Sequence, residues 1–361
     1  MQYVDDFRNT DHVRALADST GKLAAKLTNP VKFMEVCGGH TMAIHRFGLP
    51  ELLPDSVELV SGPGCPVCVT TPGYIDATID MAREGTIVTT FGDLYRVPGT
   101  KGTLEEAAAD GGEVQVVYSP RDALAIATEN PHRTVVFAAV GFETTAPAVA
   151  ATIMEAQAAE VDNFHILSGH KTMPGALRAI VEAPEVELDG FLLPGHVSTI
   201  TGSGIYEFIP EEFSLPCCIA GFEPADMLQA VKSLLHQHVE GGAMVDNAYG
   251  RAVRPEGNPT AWQTVTEVFK ATDTAWRGLG MIPDTGLDLR DDWRRYRAEA
   301  QYDAGECEDP AGCRCGDVLR GMIRPPECPL FADACRPESP VGPCMVSSEG
   351  SCAAYFKYGS Q

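Results

Sequence analysis

Short apolar runs rich in β-branched and aromatic residues alternate with helix-like stretches over the first two-thirds of the chain. That rhythm constrains the fold more than any other feature. The runs are Val31–Val36, Thr86–Phe91, Val114–Tyr118, Thr134–Val140, Phe164–Leu167, Gly190–Leu193 and Cys217–Ala220. Between them fall Asp76–Arg83, Pro120–Thr128, Pro147–Ala159, Met173–Val181 and Ala225–His236. Strands that alternate with helices predict parallel sheets with crossover helices, an α/β architecture. The expectation is two Rossmann-like α/β domains, residues 1–130 and 131–290, the first open to segments that return from later in the chain. Residues 241–286 are read as continuing the pattern, with a helix near Ala261–Ala271 and an Arg-rich helix over Asp291–Gln301.

The rhythm stops near Cys307. From there the chain is dense in Cys, Pro and Gly, too poor in periodic apolar residues to bury a core of its own. Residues 291–361 are therefore read as a small Cys-rich C-terminal domain tied together by something other than packing.

Charge removes some functions. Fifty acidic residues against 27 basic give a net of −23. Such a surface repels nucleic acid and anionic lipid, whose binding needs clustered Lys and Arg. Arg294, Arg295 and Arg297 are interleaved with acids and read as a solvated face. The N-terminal residues lack an apolar signal core and no apolar run is long enough to span a bilayer. A cytoplasmic protein is expected, with no nucleic-acid and no membrane partner.

In a reducing compartment the 12 cysteines point to metal or redox chemistry rather than stable disulfides. Cys37 lies in Glu35-Val-Cys-Gly-Gly-His40-Thr41, where a strand breaks at two glycines before a helix. A thiol facing a helix N-terminus would have its thiolate stabilised, with His40 within reach to share a ligand or a hydrogen bond. Buried filler and a protease-like Cys37–His40 pair are the competing readings, and the pair leaves the other cysteines unexplained. Cys65-Pro-Val-Cys68, set among Gly62, Pro63 and Gly64, has the spacing of a reversible dithiol couple; half of a zinc site is the alternative.

In the tail, Cys328, Cys335, Cys344 and Cys352 are separated by six, eight and seven residues. Four separated thiols in Pro/Gly loops suit a [4Fe–4S] cube, whereas zinc ribbons pair their cysteines in C-x2-C knuckles. Zinc and purely structural cysteines remain open alternatives. Cys307, Cys313 and Cys315 are surplus to any four-ligand scheme, or substitute for members of it. Glu143, His170 and His196 follow strands, where loops at the carboxyl ends of a parallel sheet form its crevice. Each histidine alone is more often a satisfied structural residue. The Gly202-Ser-Gly204 loop lacks a Walker lysine, and Cys217-Cys218 reads as buried strand.

Five of these segments together resemble the signature segments of the HypD family. They are Cys37-Gly-Gly-His-Thr41, Gly62-Pro-Gly-Cys-Pro-Val-Cys68, Gly141-Phe-Glu-Thr-Thr145, Pro194-Gly-His-Val-Ser198 and Pro343-Cys-Met-Val-Ser-Ser-Glu-Gly-Ser-Cys352. The resemblance implies two α/β domains plus a cluster domain. It implies a scaffold that, with a small HypC-type chaperone, assembles the Fe(CN)2CO unit of a [NiFe]-hydrogenase, destined for the hydrogenase large subunit. Cyanide would come from a HypE-type donor. Cys37 would ligate the iron, and Cys65 and Cys68 would form the redox pair. Cys328, Cys335, Cys344 and Cys352 would hold a [4Fe–4S] cluster, while His40 and His196 would hydrogen-bond the bound diatomics or orient the iron ligand, and Glu143 is a further candidate catalytic residue. The alternative is a stand-alone iron–sulfur thiol/disulfide oxidoreductase.

Overall fold

The computed structural model describes residues 5–299 and 309–359. Its strands are β1 (Val31–Glu35), β2 (Val57–Ser61), β3 (Ile87–Thr90), β4 (Val114–Val116), β5 (Val135–Gly141), β6 (Phe164–His170), β7 (Gly190–Pro194), β8 (Cys217–Ala220), β9 (Val245–Asn247), β10 (Phe269–Trp276) and β11 (Gly280–Leu289).

Two parallel sheets carry the α/β part, as the alternation predicts. One has the order β2-β1-β7-β8-β9, the other β4-β3-β5-β6. In the first, Phe33 pairs with Leu59 and Met34 with Phe191. In the second, β5 and β6 run in register from Val135/Phe164 to Gly141/His170. Every residue of β5, β7 and β8 is buried, the pattern of strands covered by helices on both faces. Cys217 and Cys218 lie inside β8 with no exposed surface.

Sheet membership cuts across the linear spans 1–130 and 131–290. Strands β3 and β4 join β5 and β6, while β1 and β2 join strands from residues 190–247. The second sheet is therefore an insertion between β2 and β7, and the first is closed by returning chain. The alternation alone cannot show this, because a strand's apolar run does not name its neighbour.

Local chemistry sets the helix ends. Ser119 and Asp122 form a reciprocal capping box ahead of the helix Pro120–Glu129, with Pro120 in its first turn. Glu223 and Asp226 do the same for Pro224–Glu240, which stops at Gly241 in the left-handed conformation, φ 69°.

Two expectations are corrected. Residues beyond the helix Pro259–Val268 do not continue the α/β pattern; β10 and β11 form an antiparallel hairpin with a register shift between Thr272 and Thr274. Gly278 and Gly280, at φ 81° and 76°, turn its tip. The segment read as a helix from Asp291 is a short 3-10 turn, Asp291–Tyr296, after which Arg297 bridges to Ile166 on β6; Gln301 lies outside the described residues. Among the described residues no helix is long and apolar enough to cross a membrane.

Candidate functional site

The carboxyl ends of both sheets open onto one cleft of about 490 Å³. Cys37, Gly64, Pro66 and His196 enter it after β1, β2 and β7; Phe91, Asp93, Tyr118, Phe142 and Thr145 enter it after β3, β4 and β5. Glu349 reaches in from the tail.

Cys37 is the residue on which the helix Gly38–Arg46 begins. Its N–H donates to Glu35 Oε2 at 3.1 Å, and its carbonyl accepts from the N–H groups of His40 and Thr41 at 2.8 and 3.1 Å. The Thr41 hydroxyl donates to the other oxygen of Glu35. Burial raises the Glu35 carboxyl to about 8, opposed by these hydrogen bonds. The thiol itself is pushed up to about 12, first by burial and then by the charge of Glu349; the N–H groups of His40 and Gly39 oppose this but lose. The expectation that a helix N-terminus would favour the thiolate is therefore reversed: at 8% exposure, desolvation wins. Loss of this proton needs a partner that binds sulfur strongly, as a soft metal does.

The turn bearing the C-x-x-C is built against the same strand end. Gly62 N–H donates to Glu35 O at 2.7 Å, and Gly38 N–H to Gly64 O at 2.9 Å. A Cβ on Gly64 would lie 2.2 Å from Cys37 N, so only glycine permits this approach. Cys65 and Cys68 are joined as a disulfide, with Cα atoms 5.2 Å apart, and both are buried.

His40 is fully buried, and its Nε2 lies 3.1 Å from Ala220 O. With Nε2–H donating there, Nδ1 carries a lone pair that meets no partner among the described residues. Burial lowers the ring to about 4, so it is neutral at pH 7. The rings of His40 and His196 both lean on Phe222, at 4.9 and 3.9 Å between centroids.

Glu143 and His170 stand apart from the cleft. Glu143 Oε1 accepts Met173 N–H at 2.8 Å beside a separate cavity, while Oε2 meets no partner among the described residues and burial raises the carboxyl to about 7. His170 is buried edge-on to Phe269, its ring lowered to about 3 by burial. Beside it Lys171, also buried, donates from Nζ to Ala275 O at 2.7 Å, and burial lowers it to about 7.

In the tail, Cys313, Cys315, Cys328, Cys335, Cys344 and Cys352 line one narrow cavity walled by Val318, Leu330, Phe331 and Met345. The Cys344 thiol is crowded by those of Cys315 and Cys352, and this crowding, with burial, holds it well above its usual range. Cys335 Sγ accepts Val341 N–H at 3.3 Å. Among the described residues no three His, Cys, Asp or Glu side chains stand as ligands of one common ion. A cubane asks for a different arrangement, one thiolate for each of four irons, and convergent sulfurs in an apolar cage with a backbone N–H on sulfur have the chemistry to hold one. Cys307 lies outside the described residues.

The sequence model of the HypD family, described as hydrogenase formation hypA family, matches residues 11–359. The chain is 45% identical over 370 residues to a hydrogenase maturation factor HypD of Escherichia coli, an alignment covering 100% of this chain and 99% of that protein. It is 45% identical to the factor of the same name from Cupriavidus necator, covering 99% and 97%. A putative hydrogenase expression/formation protein of Methanocaldococcus jannaschii is 41% identical over 348 residues, covering 96% and 97%.

The chain belongs to the HypD family.

Of the HypD-like segments read in the sequence, those at Cys37, Cys65 and Pro194 border the cleft; Gly141-Phe-Glu-Thr-Thr145 sends Phe142, Thr144 and Thr145 into it but turns Glu143 away. Phe222, Glu35 and Asp93 were not singled out. Phe222 sits in Ala220-Gly-Phe-Glu-Pro, whose likeness to Val140-Gly-Phe-Glu-Thr was the available signal. Cys315 is brought to the centre of the tail cysteines, beside Cys344.

Proposed function

We propose that this HypD-family chain is a hydrogenase maturation factor on which, with a small HypC-type chaperone, the Fe(CN)2CO unit of a [NiFe]-hydrogenase is assembled in the cytoplasm. The observation that carries the reading is the meeting of Cys37 and the Cys65–Cys68 turn at one cleft between two sheets. One thiol to hold iron and one couple to move electrons are the two tools this assembly needs.

Iron is the cargo. Cys37 supplies a soft thiolate, suited to low-spin iron carrying CO and cyanide. The neutral His40 and the nearby His196 sit on Phe222, placed to orient the ligand or hydrogen-bond the bound diatomics. Cyanide released from a HypE-type thiocyanate needs two electrons. The Cys65/Cys68 dithiol can provide them: the S–C bond of the thiocyanate breaks, the dithiol closes to the disulfide, and a thiol and hydrogen cyanide leave with its two protons.

Cys328, Cys335, Cys344 and Cys352 would hold a [4Fe–4S] cluster, with Cys315, beside Cys344, the substitute for one of the four; the cluster supplies single electrons for reopening the disulfide. The second reading, a stand-alone iron–sulfur thiol/disulfide oxidoreductase, is favoured by the bonded state of Cys65 and Cys68.

Anaerobic co-purification with the HypC-type partner, followed by infrared spectroscopy and iron analysis, separates the two. Cyanide and CO stretching bands that vanish in Cys37→Ala support assembly on this chain. Brown protein with iron and sulfide but no such bands, partners present, favours the oxidoreductase.

A further inference from the structure

The tip of the β10–β11 hairpin is wedged between the C-x-x-C turn and the cysteine-rich tail. Arg277, at this tip, has a side chain only 1% exposed. Its backbone N–H donates to Val69 O at 2.9 Å and its Nε–H to Thr70 O at 2.9 Å, the carbonyls that follow Cys68. Nη1 donates to Asp309 Oδ1 at 2.7 Å, on the tail side. The next residue, Gly278, packs so tightly on the tail that a Cβ there would lie 2.5 Å from Gly316 Cα. Nη2 is buried and has no partner among the described residues.

A guanidinium cannot discharge itself by losing a proton, so burial must be offset by hydrogen bonds and counter-charge. Among the described residues the counter-charge is a single carboxylate, Asp309, itself 26% exposed, and one N–H pair meets no partner. The site therefore holds positive charge in reserve within two residues of Cys68.

We propose that Arg277 is a positioning residue whose buried charge sets the reduction potential of the Cys65/Cys68 couple. Reduction breaks the S–S bond, takes up two electrons and one proton, and leaves one thiol and one thiolate. A fixed cation beside the turn stabilises that thiolate and so makes the disulfide easier to reduce. The same side chain fixes the turn against the tail through Thr70 and Asp309. The inference rests on the redox role given above to Cys65 and Cys68, but not on any partner or on iron.

The test is a titration of the full chain, under anaerobic conditions, in buffers of oxidised and reduced dithiothreitol, with alkylation of Cys65 and Cys68 read by mass spectrometry. Arg277→Met should lower the equilibrium constant for reduction about tenfold, equivalent to ~30 mV for two electrons. Asp309→Asn, which removes the counter-charge, should shift it in the opposite direction. Arg277→Lys, keeping the charge, should stay near the unmodified chain. No shift in Arg277→Met, or shifts of the same sign in Arg277→Met and Asp309→Asn, would overturn the inference, because a merely loosened turn has no reason to follow the sign of charge. Failure of the unmodified pair to titrate as a two-electron couple would instead overturn the redox reading itself.

Discussion

Gly38 and Glu349 touch so closely that a methyl group on Gly38 would lie 2.5 Å from Glu349 Cβ and 2.8 Å from its carbonyl oxygen. Gly38 follows Cys37; Glu349 lies between Cys344 and Cys352. The thiol of the cleft and the cysteines of the tail are thus held in one rigid contact. Gly38→Ala should cost roughly 2 kcal/mol by overpacking, read from urea unfolding, and should move the Ser347–Gly350 segment, read as altered cysteine accessibility at Cys344 and Cys352. An unchanged unfolding midpoint would mean the contact is loose.

The convergence of the tail thiols gives a ranking of cysteine variants. In anaerobically purified protein, Cys344→Ser and Cys315→Ser should each abolish most of the brown colour and the acid-labile sulfide. Cys218→Ala, buried in β8, should keep both. Full iron in Cys315→Ser would restrict the ligand set to Cys328, Cys335, Cys344 and Cys352.

Lys171 makes stability depend on alkaline pH. Its folded value of about 7 lies below its ordinary 10.5, so between these the unfolded chain binds the extra proton and stability rises with pH. The contribution is complete above 10.5 and lost as pH falls through 7. Lys171→Met should therefore flatten the rise, and the unmodified chain should gain roughly 2 kcal/mol relative to the variant between pH 7 and 9. Urea midpoints at the two pH values measure it; parallel changes in both proteins would refute the burial argument.

Asp226 serves twice, capping the helix Pro224–Glu240 at Glu223 N–H and pairing both oxygens with Arg251 at 2.6 Å. Its side chain is fully buried. Asp226→Ala should cost about 3 kcal/mol, since it strands the Arg251 guanidinium and uncaps the helix. Thermal melting would reveal it, and a loss below 1 kcal/mol would show that Arg251 finds other partners.

What the sequence made legible follows from what is local. Apolar runs placed β5, β7 and β8 to within a few residues, because a strand buried on both faces must be apolar throughout, and they caught only the first part of β6, which ends in Ser168-Gly-His170. The thiol segments were visible because Cys and Gly in such patterns have few other uses. The partners were not visible. Nothing in Val31–Glu35 says that its neighbours are β2 and β7, and the hairpin β10–β11 passed as more of the α/β pattern because half-exposed strands without a clean period of two do not announce an antiparallel partner. The site was legible as a set of loops, but not which loops share a cleft. Glu143 shows the limit: it follows a strand beside cleft-lining residues, yet its carboxylate turns to Met173 N–H. Nor did the pattern show that burial would outweigh the helix N-terminus at Cys37.

The insertion of one sheet within the other also has a consequence in time. Strands β1 and β2 emerge early from the ribosome, but the first sheet cannot close until β7, β8 and β9 have been made, after the whole inserted sheet. Such non-local pairing is slow, and synthesis proceeds domain by domain from the N-terminus. The inserted sheet, with its nearer contacts, is free to form first, while Cys37, Cys65 and Cys68 wait without their shelter. Their exposure to oxidants and stray metal is therefore greater in the nascent chain than in the finished fold, where all three are buried.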